Sequence, residues 1–211
     1  MKTFMKTLFA SALAVIILPG LAFAVHKAPA VMDIYKIDFT KIVIRGNARV
    51  ELIQSNTQNV VTYEDASSSH TSITQKGDKL LINSDGVEPA NIVVYVRNLQ
   101  RIDAANTVVV STRGKFSLAV LQVFLKDSAI AYVNAETESL YTVIKDRSDL
   151  KLKGSSADHT LAISKIAKLD IDQFTALKLT AATLDGRILA GNYRYSNALD
   201  TAFAGSRIRI K

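Results

Sequence analysis

Short strand-like segments recur at a nearly constant interval along the C-terminal half of the chain. Alternation of aliphatic with polar residues, at a period of two, is typical of a strand with one buried face. A fixed period near 20 in such a pattern is typical of a solenoid, in which each repeat forms one coil and stacks on the last. The sequence therefore predicts an all-β fold containing a short, single-stranded parallel β-helix with coils of about 19–20 residues. The spacings are 20, 19, 19 and 20 residues between Ile130, Leu150, Leu169, Ile188 and Ile208.

Charged residues on the outward positions favour one alignment of these coils. The alignment places Lys151 beside Asp170 and Lys153 beside Asp172. Opposite charges on neighbouring strands stabilise the pairing by about 0.2–1 kcal/mol each. A slip of one residue would instead turn the aliphatic column towards water. The predicted inward column consists of the five repeat centres together with Tyr132, Leu152, Ile171, Ala190 and Ile210.

Residues 39–98 have shorter strand patterns that turn signals separate. Ile42 and Ile44 belong to an alternating pattern that ends at a turn at Gly46. A hairpin-like turn at Gly77 separates Ile73 from the apolar residues 80–82. We expect N-terminal antiparallel strands or hairpins at 39–98, followed by repeated coils at 99–211. Both parts form one domain, 39–211.

The N-terminus has the three parts of a secretory signal peptide. Lys2 and Lys6 precede an apolar run over residues 8–18, and Ala22 and Ala24 form a small-x-small end. A run of this length is too short for a spanning helix, which needs roughly 20 residues. We therefore expect a signal peptide at 1–24, a leader at 25–38, and no transmembrane segment after the signal is removed. The predicted location is periplasmic or extracellular, including the cell surface of a bacterium.

The composition excludes several classes of function. The chain has no cysteine, which excludes disulfides, thiolate metal sites, iron–sulfur clusters and thiol catalysis. Its 26 basic and 19 acidic residues are evenly spread, a distribution that does not favour nucleic acid as a partner. Phosphate-loop, dinucleotide and serine-hydrolase motifs are absent from the sequence. We therefore expect no cofactor.

Five segments carry a resemblance to a known family of proteins. The sequence resembles the putative auto-transporter adhesin, head GIN domain family. The resemblance implies an exported protein with a right-handed parallel β-helix and a binding role towards an unspecified ligand. Where that family has recurrent Ser-Gly turns, this chain has other turn-forming residues, such as Asn106, Asp127 and Asp146. The segments are residues 39–46, 50–54, 79–82, 93–96 and 99–102.

Asp170 and Asp172 are the best candidates for catalytic carboxylates. Residues two apart on a strand point the same way, about 7 Å apart, and glycoside hydrolases use carboxylates about 5–9.5 Å apart. With Lys151 and Lys153 they are the candidate residues of a polysaccharide lyase or hydrolase. The alternative is that the two lysines neutralise them as surface ion pairs.

Two further groups of residues are candidates for binding. Asp127 and Asp146 lie 19 residues apart and would stack about 4.8 Å apart, suited to a hard cation such as Ca²⁺, or would form ordinary solvated turns. Arg207, Arg209 and Lys211 would form a basic patch for an anionic partner, or would protect the last strand edge from aggregation.

The three histidines have no metal-ligand spacing. His26 lies in the leader, His70 in a polar loop, and His159 near a predicted coil corner. We expect His70 and His159 to be solvated surface residues.

Three hypotheses of function follow from the repeat and from the missing catalytic motifs. The first is an exported surface-interaction module that uses a flat β face against a carbohydrate, an envelope polymer or a protein. The second is a β-helix polysaccharide lyase or glycoside hydrolase. The third is a structural protein of the cell envelope.

Overall fold

The structure, a computed structural model, describes residues 30–32, 38–62, 70–184 and 188–193. Within these ranges the chain is all-β, and its strands form a single, strongly curled mixed sheet. No helix among these residues is long and apolar enough to cross a membrane. The strands are β1 (Ala30–Met32), β2 (Lys41–Gly46), β3 (Ala48–Gln54), β4 (Asn59–Thr62), β5 (Thr71–Lys76), β6 (Lys79–Ser84), β7 (Ala90–Val96), β8 (Arg101–Ala104), β9 (Val109–Arg113), β10 (Phe116–Leu125), β11 (Ile130–Ile144), β12 (Asp149–Ile163), β13 (Lys168–Thr183) and β14 (Ile188–Tyr193).

Three parallel ladders organise the sheet. The first ladder joins β2 and β8 to residues 122–125, 141–144, 160–163 and 180–183 of the long strands. The second ladder joins β3 and β9 to residues 130–134, 149–153 and 168–172. The third ladder joins residues 116–120, 135–139, 154–158 and 174–178. Each long strand passes from one ladder to another. Neighbouring long strands pair at an offset of 19 or 20 residues, which is the spacing that the sequence predicts.

The alternating aliphatic residues of these ladders form one continuous core. They point to the same side of the sheet because side chains alternate along a strand, and burial of this apolar surface is the main stabilising term. Fully buried members from every ladder include Ile42, Leu52, Ile102, Val110, Phe116, Val123, Leu150 and Ala181.

The register between β11 and β12 is one residue away from the prediction. Leu150 pairs with Leu169 as expected, but it pairs with Ala131 on the other side, and Ile130 pairs with Asp149. Tyr132 consequently faces outward and is 44% exposed, whereas Ala131 is fully buried. The prediction of Ile130 and Tyr132 as core residues was wrong because residues 129–133 contain two interleaved apolar sets. Either set satisfies a period of two, and the structure buries the set formed by Ala129, Ala131 and Val133.

The second predicted ion pair is also displaced. Lys151 pairs with Asp170 in register, but Lys153 pairs with Gln173 because the register shifts between Lys151 and Lys153. The shift adds one residue, Asp172, to β13, as in a β-bulge. The predicted pairing of Lys153 with Asp172 was therefore wrong.

The repeat ends earlier than the sequence predicts. β14 runs antiparallel to β13, with Ile188 opposite Ala182, so Ile188 does not begin another parallel coil. The length of the connection does not decide this direction, since gaps of four residues also separate β11 from β12 and β12 from β13, which pair in parallel. The predicted centre at Ile208 lies outside the described residues, as do the predicted signal peptide at 1–24 and His26.

The N-terminal segment is more parallel than expected. A hairpin does join β5 to β6 at Gly77, and β4 lies antiparallel to β7. However, β2 pairs in parallel with both β6 and β8, and β3 pairs in parallel with both β7 and β9. Residues 41–54 therefore lie between strands that follow them in sequence, and they extend the first two ladders.

Candidate functional site

The outward side of the second ladder brings together most of the residues predicted as catalytic. The Lys151 ammonium lies 3.6 Å from an Asp170 carboxylate oxygen. The same ammonium lies 6.0 Å from the ring centroid of Tyr132, which precedes it on the neighbouring strand. The result is a charged surface that also presents the exposed ring of Tyr132.

Both carboxylate oxygens of Asp170 have partners. Oδ1 accepts a hydrogen bond of 3.2 Å from the backbone N–H of Asp172, and Oδ2 forms the ion pair with Lys151. Asp170 thus supports the backbone where β13 departs from the 19-residue register. The structure places Asp170 and Asp172 on one strand and Lys151 and Lys153 on its neighbour, and their catalytic role stays a prediction.

Asp149 is a third carboxylate on this surface that the sequence did not single out. Partial burial raises its pKa, and the positive charges of Lys168 and Lys151 oppose that rise, while Asp170 adds to it. Lys168 is its register partner on β13. The 19-residue offset between these two opposite charges was the signal that could have revealed them.

A shallow groove follows the outward side of the third ladder. It has a volume of about 580 Å³ and crosses four neighbouring strands, since the same short stretch of each strand contributes to it. Side chains at most of these positions are short, which leaves room above the sheet. The lining residues are 117–119, 136–138, 155–157 and 175–177.

Two carboxylates give this groove a polar wall. Lys115 Nζ lies 2.7 Å from the Glu136 carboxylate, whereas Glu138 is exposed and has no ion pair among the described residues. The hydroxyls beneath are internally satisfied, because Thr137 donates to Ser156 at 3.0 Å and Ser156 donates to the carbonyl of Asp158 at 2.6 Å. Glu138 is therefore available to an incoming ligand.

Sequence patterns alone did not reveal the groove, nor an aromatic cluster on the first ladder. There the Arg101 guanidinium lies 3.9 Å from the Phe124 ring centroid, and the Phe124 and Tyr141 centroids are 5.7 Å apart. The available signal was the recurrence of short residues at equivalent positions of neighbouring strands, and of aromatic residues at diagonal positions, since Tyr141 pairs with Gln122 and Phe124 with Val143. It becomes visible only when the register is known.

Asp127 and Asp146 occupy equivalent turns, and each supports the backbone of the preceding turn. Asp127 Oδ2 accepts a hydrogen bond of 3.1 Å from the Asn106 N–H, and Asp146 Oδ2 accepts one of 3.1 Å from the Asp127 N–H. All three residues have positive φ, which Asn and Asp tolerate better than most residues. No group of three metal-ligating side chains occurs in the described part of the chain. A cation site at Asp127 and Asp146 stays a prediction, which unfolding in Ca²⁺ and in chelator would test.

Replacing Asp127 by alanine is expected to lower the free energy of unfolding by about 1–3 kcal/mol. The change removes the acceptor for Asn106 and places alanine in a left-handed conformation. Asp127→Asn is the matched control, since it keeps an acceptor oxygen and tolerates positive φ. Urea unfolding measures both variants, and an equal loss for the two would contradict the role given to this oxygen.

His159 lies in the core rather than on the surface. It is 1% exposed, its Nε2 is hydrogen-bonded to Thr142 Oγ1 at 2.9 Å, and its ring meets Phe174 edge-on at 5.6 Å. Burial lowers its pKa to about 3. The prediction of a solvated His159 was wrong because it points inward on β12. The predicted exposure holds for His70, whose side chain is 67% exposed.

The third predicted group, Arg207, Arg209 and Lys211, lies outside the described residues. Its role as an anionic binding patch or as a protected edge therefore stays a prediction.

Comparison with solved structures relates the fold to three bacterial proteins. A putative adhesin from Bacteroides fragilis NCTC 9343 has 15% identity and a TM-score of 0.63, over 74% of this chain and 77% of that chain. A putative adhesin from Parabacteroides distasonis ATCC 8503 has 15% identity and a TM-score of 0.56, over 74% and 78%. A putative lipid binding protein from the same strain has 11% identity and a TM-score of 0.53, over 74% and 78%.

At the level of sequence, no curated protein matches this chain. One family model does match it, over residues 38–187, and its description is "Putative auto-transporter adhesin, head GIN domain". These residues include all three parallel ladders and the groove. The chain therefore belongs to the family of the putative auto-transporter adhesin, head GIN domain.

Proposed function

We propose that this protein is an exported, adhesin-like surface module whose third-ladder groove binds an extended polymer, with a carbohydrate chain as the favoured ligand. The observation that carries the proposal is the groove itself. It crosses four strands, which at about 4.8 Å per strand spacing is roughly 14 Å. A polymer lying across the strands would meet mostly short side chains, together with Glu136 and Glu138 on β11.

The chemistry of the groove fits a polyhydroxylated chain. Ser117, Ser155 and Thr175 provide hydroxyl groups at equivalent positions, and Glu138 provides a strong acceptor. Hydroxyl and carboxylate groups pair with sugar hydroxyls as both donors and acceptors. Leu177, which is 80% exposed, adds an apolar surface at one end of the groove.

Export is part of the same proposal. The signal-like N-terminus and membership of an adhesin family both support it. We also infer that the three ladders close into a right-handed parallel β-helix. The chain visits the first, second and third ladders in turn, and neighbouring coils are offset by 19 residues in most of their pairs.

Filling the groove tests this function. Ala157→Phe places a large ring among the lining residues and is expected to abolish binding to the neutral chains of a glycan array. Thr160→Phe is the matched control because Thr160 is an exposed residue on the same strand, but on the first ladder. Circular dichroism verifies that both variants fold.

Two outcomes would contradict the proposed function. One is equal binding by wild type and Ala157→Phe, which would remove the groove from recognition. The other is an array without any bound glycan while light scattering shows large ordered assemblies, which would favour a structural role in the envelope.

A further inference from the structure

The turns between the first and second ladders form a ridge of cations that the groove does not use. We call Lys126, Lys145 and Arg147 the basic ridge. Backbone hydrogen bonds stack these turns directly, since Lys145 N donates to the Leu125 carbonyl at 2.9 Å and Arg147 N donates to the Asp127 carbonyl at 2.9 Å. Lys126 and Lys145 thus occupy the same position on neighbouring coils, one strand spacing of about 4.8 Å apart.

The carboxylates of these turns are already used by the backbone. Asp127 Oδ2 accepts hydrogen bonds from both the backbone and the side-chain nitrogens of Asn106, at 3.1 and 3.3 Å. Asp146 Oδ2 accepts the Asp127 N–H. One weak contact of 3.8 Å joins Lys126 to Asp127, whereas Lys145 and Arg147 form no ion pair within the described ranges. The two carboxylates keep their negative charge but are directed to the backbone of the preceding turn, so these turns expose three cations and have a net positive charge of one.

Neither packing nor backbone conformation gives a reason for cations at these positions. Like charges at neighbouring positions of paired strands are destabilising, and the turn needs a special backbone conformation only at Asp127 and Asp146. Lys145 and Arg147 are exposed, so burial does not require them either. Two cations from one turn, with a third one coil away, match the repeated negative charges of a linear polyanion.

We propose that the basic ridge binds an anionic polysaccharide, a chain that bears carboxylate or sulfate groups. The choice of polysaccharide rests on the proposed export, since such polymers are the polyanions that an exported surface protein meets. Arg147 would hold a carboxylate or sulfate group through paired N–H donors, and the lysines would act as point charges. The ridge lies on a different part of the coil from the groove, so the two surfaces bind independently.

Fluorescence anisotropy with labelled polygalacturonate and labelled dextran sulfate tests the ridge, with neutral dextran as the blank. The double variant Lys145→Gln/Arg147→Gln is expected to bind the polyanions about tenfold more weakly at low salt. Lys76→Gln/Lys79→Gln is the matched control, since it removes the same charge from the exposed β5–β6 hairpin. We expect less than a twofold change for that control. Wild-type binding should fall as salt rises.

The outcomes separate this proposal from the groove. The groove variant Ala157→Phe should keep its polyanion binding even if its glycan-array signal is lost. Equal losses in the ridge and hairpin variants would show that only net charge matters, and would overturn the proposal. Absence of wild-type binding to either polyanion would also overturn it, as would tighter binding to vesicles of phosphatidylglycerol than to both polysaccharides.

Discussion

Replacing Gly46 by alanine is expected to destabilise the protein by more than about 4 kcal/mol, or to prevent folding. Gly46 has a φ of 89°, in the region that costs a residue with a Cβ about 1–2 kcal/mol. In addition, a Cβ at this position would overlap the backbone carbonyl of Ser84 on the neighbouring strand. The clash is with backbone of a paired strand, so relief would require β2 and β6 to separate. Urea unfolding followed by circular dichroism measures the loss.

Gly77 provides the matched control for this experiment. Its φ is also positive, at 58°, but no atom lies within 4 Å of the Cβ that alanine would add. Gly77→Ala should therefore lose only the conformational part, about 1–2 kcal/mol. If the two variants were equally stable, close approach of the strands at Gly46 would not be a constraint on the fold.

Acid is expected to weaken the fold through His159. In the unfolded chain this imidazole takes up a proton near its ordinary pKa of 6.5, whereas in the folded chain burial lowers the pKa to about 3. At pH values between these two, only the unfolded state is protonated. The contribution of the buried, neutral His159 to stability is therefore present above pH 6.5 and falls as the pH falls. Each pH unit in this window corresponds to about 1.4 kcal/mol. Lowering the pH from 6.5 to 4.5 should therefore remove about 2 kcal/mol, since the unfolded imidazole is already half protonated at pH 6.5.

The double variant Thr142→Val/His159→Leu isolates this effect. It replaces both hydrogen-bonded partners by apolar groups, so neither side chain is left buried without a partner. Urea unfolding at several pH values should show a shallower loss of stability for this variant between pH 6.5 and 4.5. His70→Asn, on the exposed loop, should keep the wild-type slope. Parallel slopes for the wild type and the double variant would contradict a buried, neutral His159.

Spacing was the feature of the fold that could be predicted most reliably. A 19-residue offset predicts that Leu150 pairs with Leu169 and that Lys151 pairs with Asp170, and the structure has both pairs. Absolute register was less predictable. At Ile130 and Ala131 the two alternating sets are both apolar, so only the space available inside the sheet selects between them.

The candidate site could be predicted only in part, for the same reason. Asp127 and Asp146 were recognisable as stacked turn residues, but their carboxylates serve the neighbouring backbone, a role that spacing does not distinguish from cation binding. The groove depends on short residues such as Ser155 and Ala157, which have no motif of their own. These short residues form a groove only because they lie beside each other on separate strands.

The amino-acid sequence alone determined that this protein is built from β-strands at a 19-residue spacing. Alternation and spacing are local properties, because both can be recognised by comparing one strand with the next in the sequence. The tertiary structure decided that His159 is buried, that Tyr132 is exposed and that β14 turns back antiparallel. These outcomes depend on which side of each strand meets the rest of the core. That choice is made by packing and backbone hydrogen bonds between segments, not by any one segment.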